Sequence, residues 1–169
     1  MRRLFTAIVA LGLVRAAFPA ELPEYRVKAA FLYNFAQYTD WPTSVAKTLH
    51  LCTYGADPFG QDLDAVGNKA VGERTLLVRR RVTLEALNEC QLLYVSREMV
   101  GTLPKLLQKL DGHPVLVITD SPGAAEAGSM INMSVAQSRV TFEANRRAAR
   151  AAGLDLRSPL LRLATGVIQ

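Results

Sequence analysis

The sequence predicts an α/β fold: a mainly parallel sheet flanked by helices, with a C-terminal antiparallel hairpin strand. Three observations carry this. Helix-like and strand-like stretches alternate from residue 25 to residue 119, the pattern of a parallel sheet with crossover helices. Gln91–Val95 (QLLYV) and Pro114–Thr119 (PVLVIT) are apolar runs typical of strands covered on both faces. Met130–Val135 and Arg139–Ala144 are joined by a link short enough for a hairpin.

The first element is Tyr25–Pro42, YRVKAAFLYNFAQYTDWP. Val27, Phe31, Phe35 and Tyr38 recur at spacings of four, four and three, one apolar helix face, with Arg26, Lys28 and Gln37 at its sides. Pro42 lacks a backbone N–H and steers Trp41 out of α geometry, so the helix should stop near Thr39–Asp40. So many aromatics make a core-facing element, or a partner-docking face if part of the stripe stays exposed.

Thr48–Tyr54 alternates as a strand. Asp57 can cap a short helix with Pro58 at its first position, running through Leu63 and Val66. Thr75–Val82 is a second strand ending in three arginines, and Thr83 caps the short helix that leads to Gln91–Val95. Ser96 caps Arg97–Leu110, where Pro104 marks a kink or a late start. After Pro114–Thr119 and the hairpin, Asn145–Ala152 is a helix closed by Gly153. Ser158 caps a last helix, Pro159–Ala164.

Met1–Ala20 reads as a secretory leader, with Arg2 and Arg3 ahead of the apolar run Leu4–Val14 and small residues after it. That run is too short to span a membrane, which takes roughly 20 residues. Candidate cleavage points are Val14-Arg15-Ala16 and the bond after Ala20. Residues 21–169 then form a single exported domain. Removing the leader's three basic residues leaves 17 − 15 = +2, so nucleic acid is not an expected partner. Cys52 and Cys90 both fall in the exported part, where an even pair points to a disulfide; two buried thiols are the competing reading.

Little here suggests an enzyme. There is no G-x-S-x-G, no glycine-rich phosphate loop, and only His50 and His113 as near-neutral bases. No cofactor or metal is expected. Asp57 and Asp120 follow strand ends, where open α/β sheets keep their crevice, but caps and turns explain both. A binding crevice at Asp57–Gly60 is the more plausible site. Asp57, Phe59, Arg139 and Asn145 are its candidate contacts for an acidic metabolite or nucleotide.

Several segments together resemble the YfiR family of periplasmic regulators: VKAAFLYNFAQYTDWP (27–42), DPFG (57–60), VRR (78–80), CQLLYVS (90–96), VLVITD (115–120) and RVTFEANRRAARAAGLDLRSPLLRLA (139–164). The match is collinear over nearly all of the chain after the leader. A family member can carry two disulfides, whereas this chain has cysteines for one, Cys52 with Cys90. The resemblance implies a non-catalytic inhibitor that binds the periplasmic domain of an inner-membrane YfiN-type diguanylate cyclase. It would thereby lower cyclic-di-GMP and biofilm formation. It also implies a YfiB-type outer-membrane lipoprotein as competitor, and a homodimer. Tyr33, Asn34, Tyr38 and Trp41, at the end of the first helix, are the candidate partner contacts.

Overall fold

The computed structural model describes residues 23–169, so the expected leader lies outside the described residues. The chain opens with α1 (Glu24–Gln37), β1 (Thr39–Asp40), β2 (Thr48–Tyr54), α2 (Gln61–Asp64), β3 (Ala70–Val71) and β4 (Arg74–Arg79). A 3-10 turn at Leu84–Glu89 leads to β5 (Leu92–Val95); another, Arg97–Thr102, leads into α3 (Leu103–Lys109). Then follow β6 (Leu116–Thr119), β7 (Ile131–Ala136), β8 (Arg139–Asn145), α4 (Arg146–Ala151), β9 (Asp155–Leu156), α5 (Ser158–Leu161) and β10 (Gly166–Ile168).

Eight strands form one sheet in the order β10-β8-β7-β6-β5-β2-β4-β3. The five central strands β4, β2, β5, β6 and β7 are parallel, and β8 turns back antiparallel to β7. The mainly parallel sheet and the hairpin are as expected. The hairpin turns through Gln137 and Ser138, both in the left-handed region at φ 51° and 60°, which suits a two-residue loop. β8 is not the edge, however. The unexpected β10 pairs beside it in parallel. β5 and β6 are buried at every position, as continuous apolar runs require.

Several boundaries differ from expectation for local reasons. α1 stops at Gln37, because Thr39–Asp40 instead pair antiparallel with Asp155–Leu156. Asp57 does not cap a helix; its carboxylate accepts the Phe59 N–H at 3.0 Å, and α2 begins only at Gln61, behind Gly60. Pro104 sits in the first turn of α3, so the late start is the correct alternative. Neither Thr83 nor Ser96 makes a side-chain cap bond, and Arg157, not Ser158, precedes α5.

α1 touches strands toward both edges of the sheet. Phe31 and Phe35 pack edge-on against Phe142 of β8, with ring centres 5.8 and 5.1 Å apart, while Tyr33 donates to Ala70 of β3. Its buried face is Lys28, Ala29, Leu32, Phe35 and Ala36. This lies one position round from the expected stripe. Of that stripe only Phe35 is fully buried; Val27 and Phe31 are half-buried and Tyr38 is exposed. Among the described residues no helix is long and apolar enough to cross a membrane.

Candidate functional site

In chain order the parallel strands read 2-1-3-4-5, so the order reverses between β2 and β5, and a doubly wound sheet opens its crevice at their carboxyl ends. Here that crevice is filled by the protein itself. Gly55, at φ +86°, follows β2 so closely under the next loop that a Cβ would stand 2.2 Å from Ser96 Oγ and 2.4 Å from Met99 Cγ. Only glycine fits that approach. The Glu98 carboxylate accepts the Ala56 N–H at 2.8 Å and ties the two loops together. Phe59 is buried edge-on between Tyr94 (4.7 Å) and Tyr25 (5.5 Å).

Beside it, at the end of β6, is a buried ion pair. Lys28 Nζ lies 2.6 Å from Asp120 Oδ2, and both side chains are 0 % exposed. Lys28 also pairs with Glu24 one turn earlier and lies over the Tyr25 ring. Arg97 donates to the Asp120 carbonyl at 3.0 Å and stands 3.4 Å from Oδ1. The Asp120 charge raises the Arg97 guanidinium further above its ordinary value. Burial first, and then Asp120, push the Tyr94 and Tyr25 phenols up from their ordinary range. These phenols stay neutral at any physiological pH and supply no base.

A second feature is open. The outer side of α1 and the tip of the β7–β8 hairpin flank an apolar groove lined by Val27, Phe31, Val135 and Val140. It continues past Phe31 and Val140 to Leu163, which is 71 % exposed. The hairpin tip stands clear of the sheet, since β6 pairs β7 only at Ile131–Asn132 and β10 pairs β8 only at Glu143–Asn145.

The expected ligand contacts do not converge. Asp57 is paired with Arg80, and Phe59 is in the core. Arg139 is exposed at the start of β8, on the rim of the apolar groove. Asn145 lies at the other end of β8, and both its amide oxygen and its amide nitrogen are engaged. It accepts from Ala148 N–H at 2.9 Å and donates to the Ala125 carbonyl at 2.8 Å. Of the four expected partner contacts, Asn34 is exposed on α1 and Tyr38 is exposed one turn later, just past its end. Tyr33 and Trp41 are half-buried and hold the fold through Ala70 and Ala36.

Cys52 and Cys90 form a disulfide, buried at both ends. Lys28 was not visible as a site residue. Its one sequence signal is Glu24 four residues earlier, since Asp120 is 92 positions away.

A family model described as YfiR/HmsC-like matches residues 25–165. The chain belongs to the YfiR/HmsC-like family. Two solved structures share the fold of this YfiR/HmsC-like chain. An ABC domain from Streptococcus pneumonia, in complex with L-Trp, superposes with a TM-score of 0.56 at 10 % identity, over 83 % of this chain and 60 % of that one. A conserved domain protein from Vibrio cholerae does so with a TM-score of 0.54 at 8 % identity, over 87 % and 61 %. The chain thus spans about three fifths of the length of each, and at such identity the likeness is one of fold alone.

Proposed function

We propose that this chain is a non-catalytic periplasmic regulator that represses a membrane-bound diguanylate cyclase by protein contact, lowering cyclic-di-GMP and biofilm formation. The observation that carries this reading is the family match over residues 25–165. The geometry favours contact over chemistry. The crevice at the strand-order reversal is closed by Phe59, Tyr94 and the Gly55–Ser96 approach, while an apolar groove beside α1 stays open. The same filling weighs against an acidic metabolite bound after β2.

In this reading the partner is the periplasmic domain of a YfiN-type inner-membrane cyclase. A YfiB-type outer-membrane lipoprotein competes for the chain, and the chain works as a homodimer. A leader over residues 1–20 and a single domain over 21–169 complete it, and the disulfide suits an oxidising compartment. Repression requires a surface whose affinity differs between two states of the cyclase. We assign that role to the open side of α1, with Val27, Phe31, Asn34 and Tyr38 flanked by Val135 and Leu163.

The test is to co-express the chain with the cyclase and measure cyclic-di-GMP. Asn34→Arg with Tyr38→Ala should weaken the contact by about tenfold or more and release synthesis, with an unchanged melting temperature. Full repression by the folded variant refutes the surface assignment. Full cyclase activity with the wild-type chain present refutes the function.

A further inference from the structure

The β7–β8 hairpin has one bare side. Its two-residue loop makes Ala136 and Arg139 a hydrogen-bonded pair, and in an antiparallel ladder such pairs alternate with pairs that do not bond. The backbone groups of Arg139, Thr141 and Glu143 therefore face β7, as the Asn145 N–H does in donating to the Met130 carbonyl at 2.8 Å. Those of Val140, Phe142 and Ala144 face the other way. There the Thr165 N–H and hydroxyl donate to the Phe142 carbonyl at 2.9 and 3.0 Å, and β10 covers the strand from Glu143 onward. Val140 lies short of that cover. Among the described residues its N–H and its C=O have no hydrogen-bond partner.

This unpaired edge opens onto the apolar groove. A recess of about 380 Å³ runs along it, between the hairpin, Phe31 and the exposed Leu163. Val140 also lines the neighbouring cleft beside Val27 and Val135. The two features are independent, one main-chain and one side-chain, and one kind of occupant answers both. An extended peptide can exchange hydrogen bonds with Val140 and seat alternate side chains in the recess. A docked helix would fill the recess and leave the Val140 groups unpaired.

Charge narrows the choice of strand. Residues 136–142 and 158–165 carry Arg139 and Arg162, both exposed, and no acid. Glu24, the acid lining the neighbouring cleft, is already paired with Lys28. A second copy pairing edge to edge through Val140 would set the two Arg139 side chains diagonally across one face, where long like-charged side chains repel. A foreign strand with a carboxylate opposite Arg139 is attracted instead. We propose that the cyclase docks by adding a strand to β8: an extended segment of its periplasmic domain, apolar at alternate positions and acidic opposite Arg139. The identity of the partner rests on the function proposed above, whereas the mode of docking rests on the edge.

The experiment measures binding of the purified chain to the cyclase's periplasmic domain, then amide hydrogen exchange in the complex. The Val140 N–H should exchange about tenfold more slowly or less when bound. Val140→Pro removes that N–H at an edge position, where proline is tolerated, and leaves the ladder with β7 intact. It should weaken binding by about tenfold, and Val140→Ala, which keeps the N–H, should lose less. Arg139→Glu should weaken binding about fivefold at low ionic strength. If Val140→Pro does not fold, the exchange measurement on the wild-type chain decides. Binding with an unprotected Val140 N–H, or with equal affinities in folded Val140→Pro and Val140→Ala, overturns strand addition and leaves the proposed function standing. Undiminished affinity in Arg139→Glu overturns the acidic strand. No binding by the wild-type chain overturns both the docking mode and the function. A wild-type dimer that Val140→Pro turns into monomers gives the edge to a second copy and overturns the proposal as well.

Discussion

Lys28→Met tests whether the ion pair beneath α1 is as buried as the geometry has it. Lys28 and Asp120 are both 0 % exposed and 2.6 Å apart, so neither charge has water to fall back on. Removing one partner of such a pair costs about 3–5 kcal/mol, because the survivor is left charged in a poor solvent. Two groups soften the loss. Glu24, 41 % exposed, stays beside Lys28 when Asp120 is replaced, and Arg97, 60 % exposed, stays beside Asp120 when Lys28 is replaced. Each single variant, Lys28→Met or Asp120→Leu, should therefore lose about 3 kcal/mol. Replacing both leaves two apolar chains of similar volume, so the double variant should lose no more than about 3 kcal/mol in total. The coupling between the sites is then at least about 3 kcal/mol. Urea unfolding of the four proteins measures it, and in thermal melts each single variant should fall by roughly 6–12 °C. Single losses that simply add in the double variant would refute the pair.

Two further outcomes follow from the fold. Cys52 and Cys90 are 38 residues apart, and reduction or Cys52→Ala/Cys90→Ala should cost about 4 kcal/mol on the chain-entropy account, read as a lower urea midpoint. A midpoint unchanged by reductant would show that the bridge does not form. The Tyr94 phenol holds its proton in the folded chain beyond the pH at which it is lost from the unfolded one, near pH 10. Its stabilisation is thus intact below about pH 10 and declines as pH rises above that, since the unfolded chain then binds fewer protons. Stability measured against alkaline pH should fall less steeply in Tyr94→Phe; parallel curves would refute the assignment.

The central sheet was legible because its signals are local. Thr48–Tyr54 alternates and lies between turn residues, and the observed strand has those same limits. Pro104 announced the late start of α3, because proline is tolerated in a first turn and nowhere deeper. What the sequence hid depends on distant partners. Lysine ordinarily sits on a helix flank, and only Asp120, across most of the chain, makes Lys28 a buried residue. Gly166–Ile168 is too short to read as a strand and becomes one only by lying along Glu143–Asn145. Asn145 looked like a ligand contact, but its amide serves the start of α4.

The placement of α1 also orders events in time. It is the first described helix to be synthesised, but the surfaces it rests on come much later: Ala70, then Asp120, then Phe142. Until β8 has been made, Phe31 and Phe35 lack their aromatic partner, and until β6 has been made Lys28 lacks its carboxylate. A nascent or truncated chain ending before residue 142 would hold a sticky, unanchored amphipathic segment at its front, a target for chaperones and proteases. Completion of the C-terminal strands, rather than formation of the helix, is then the step that commits the molecule to its final shape.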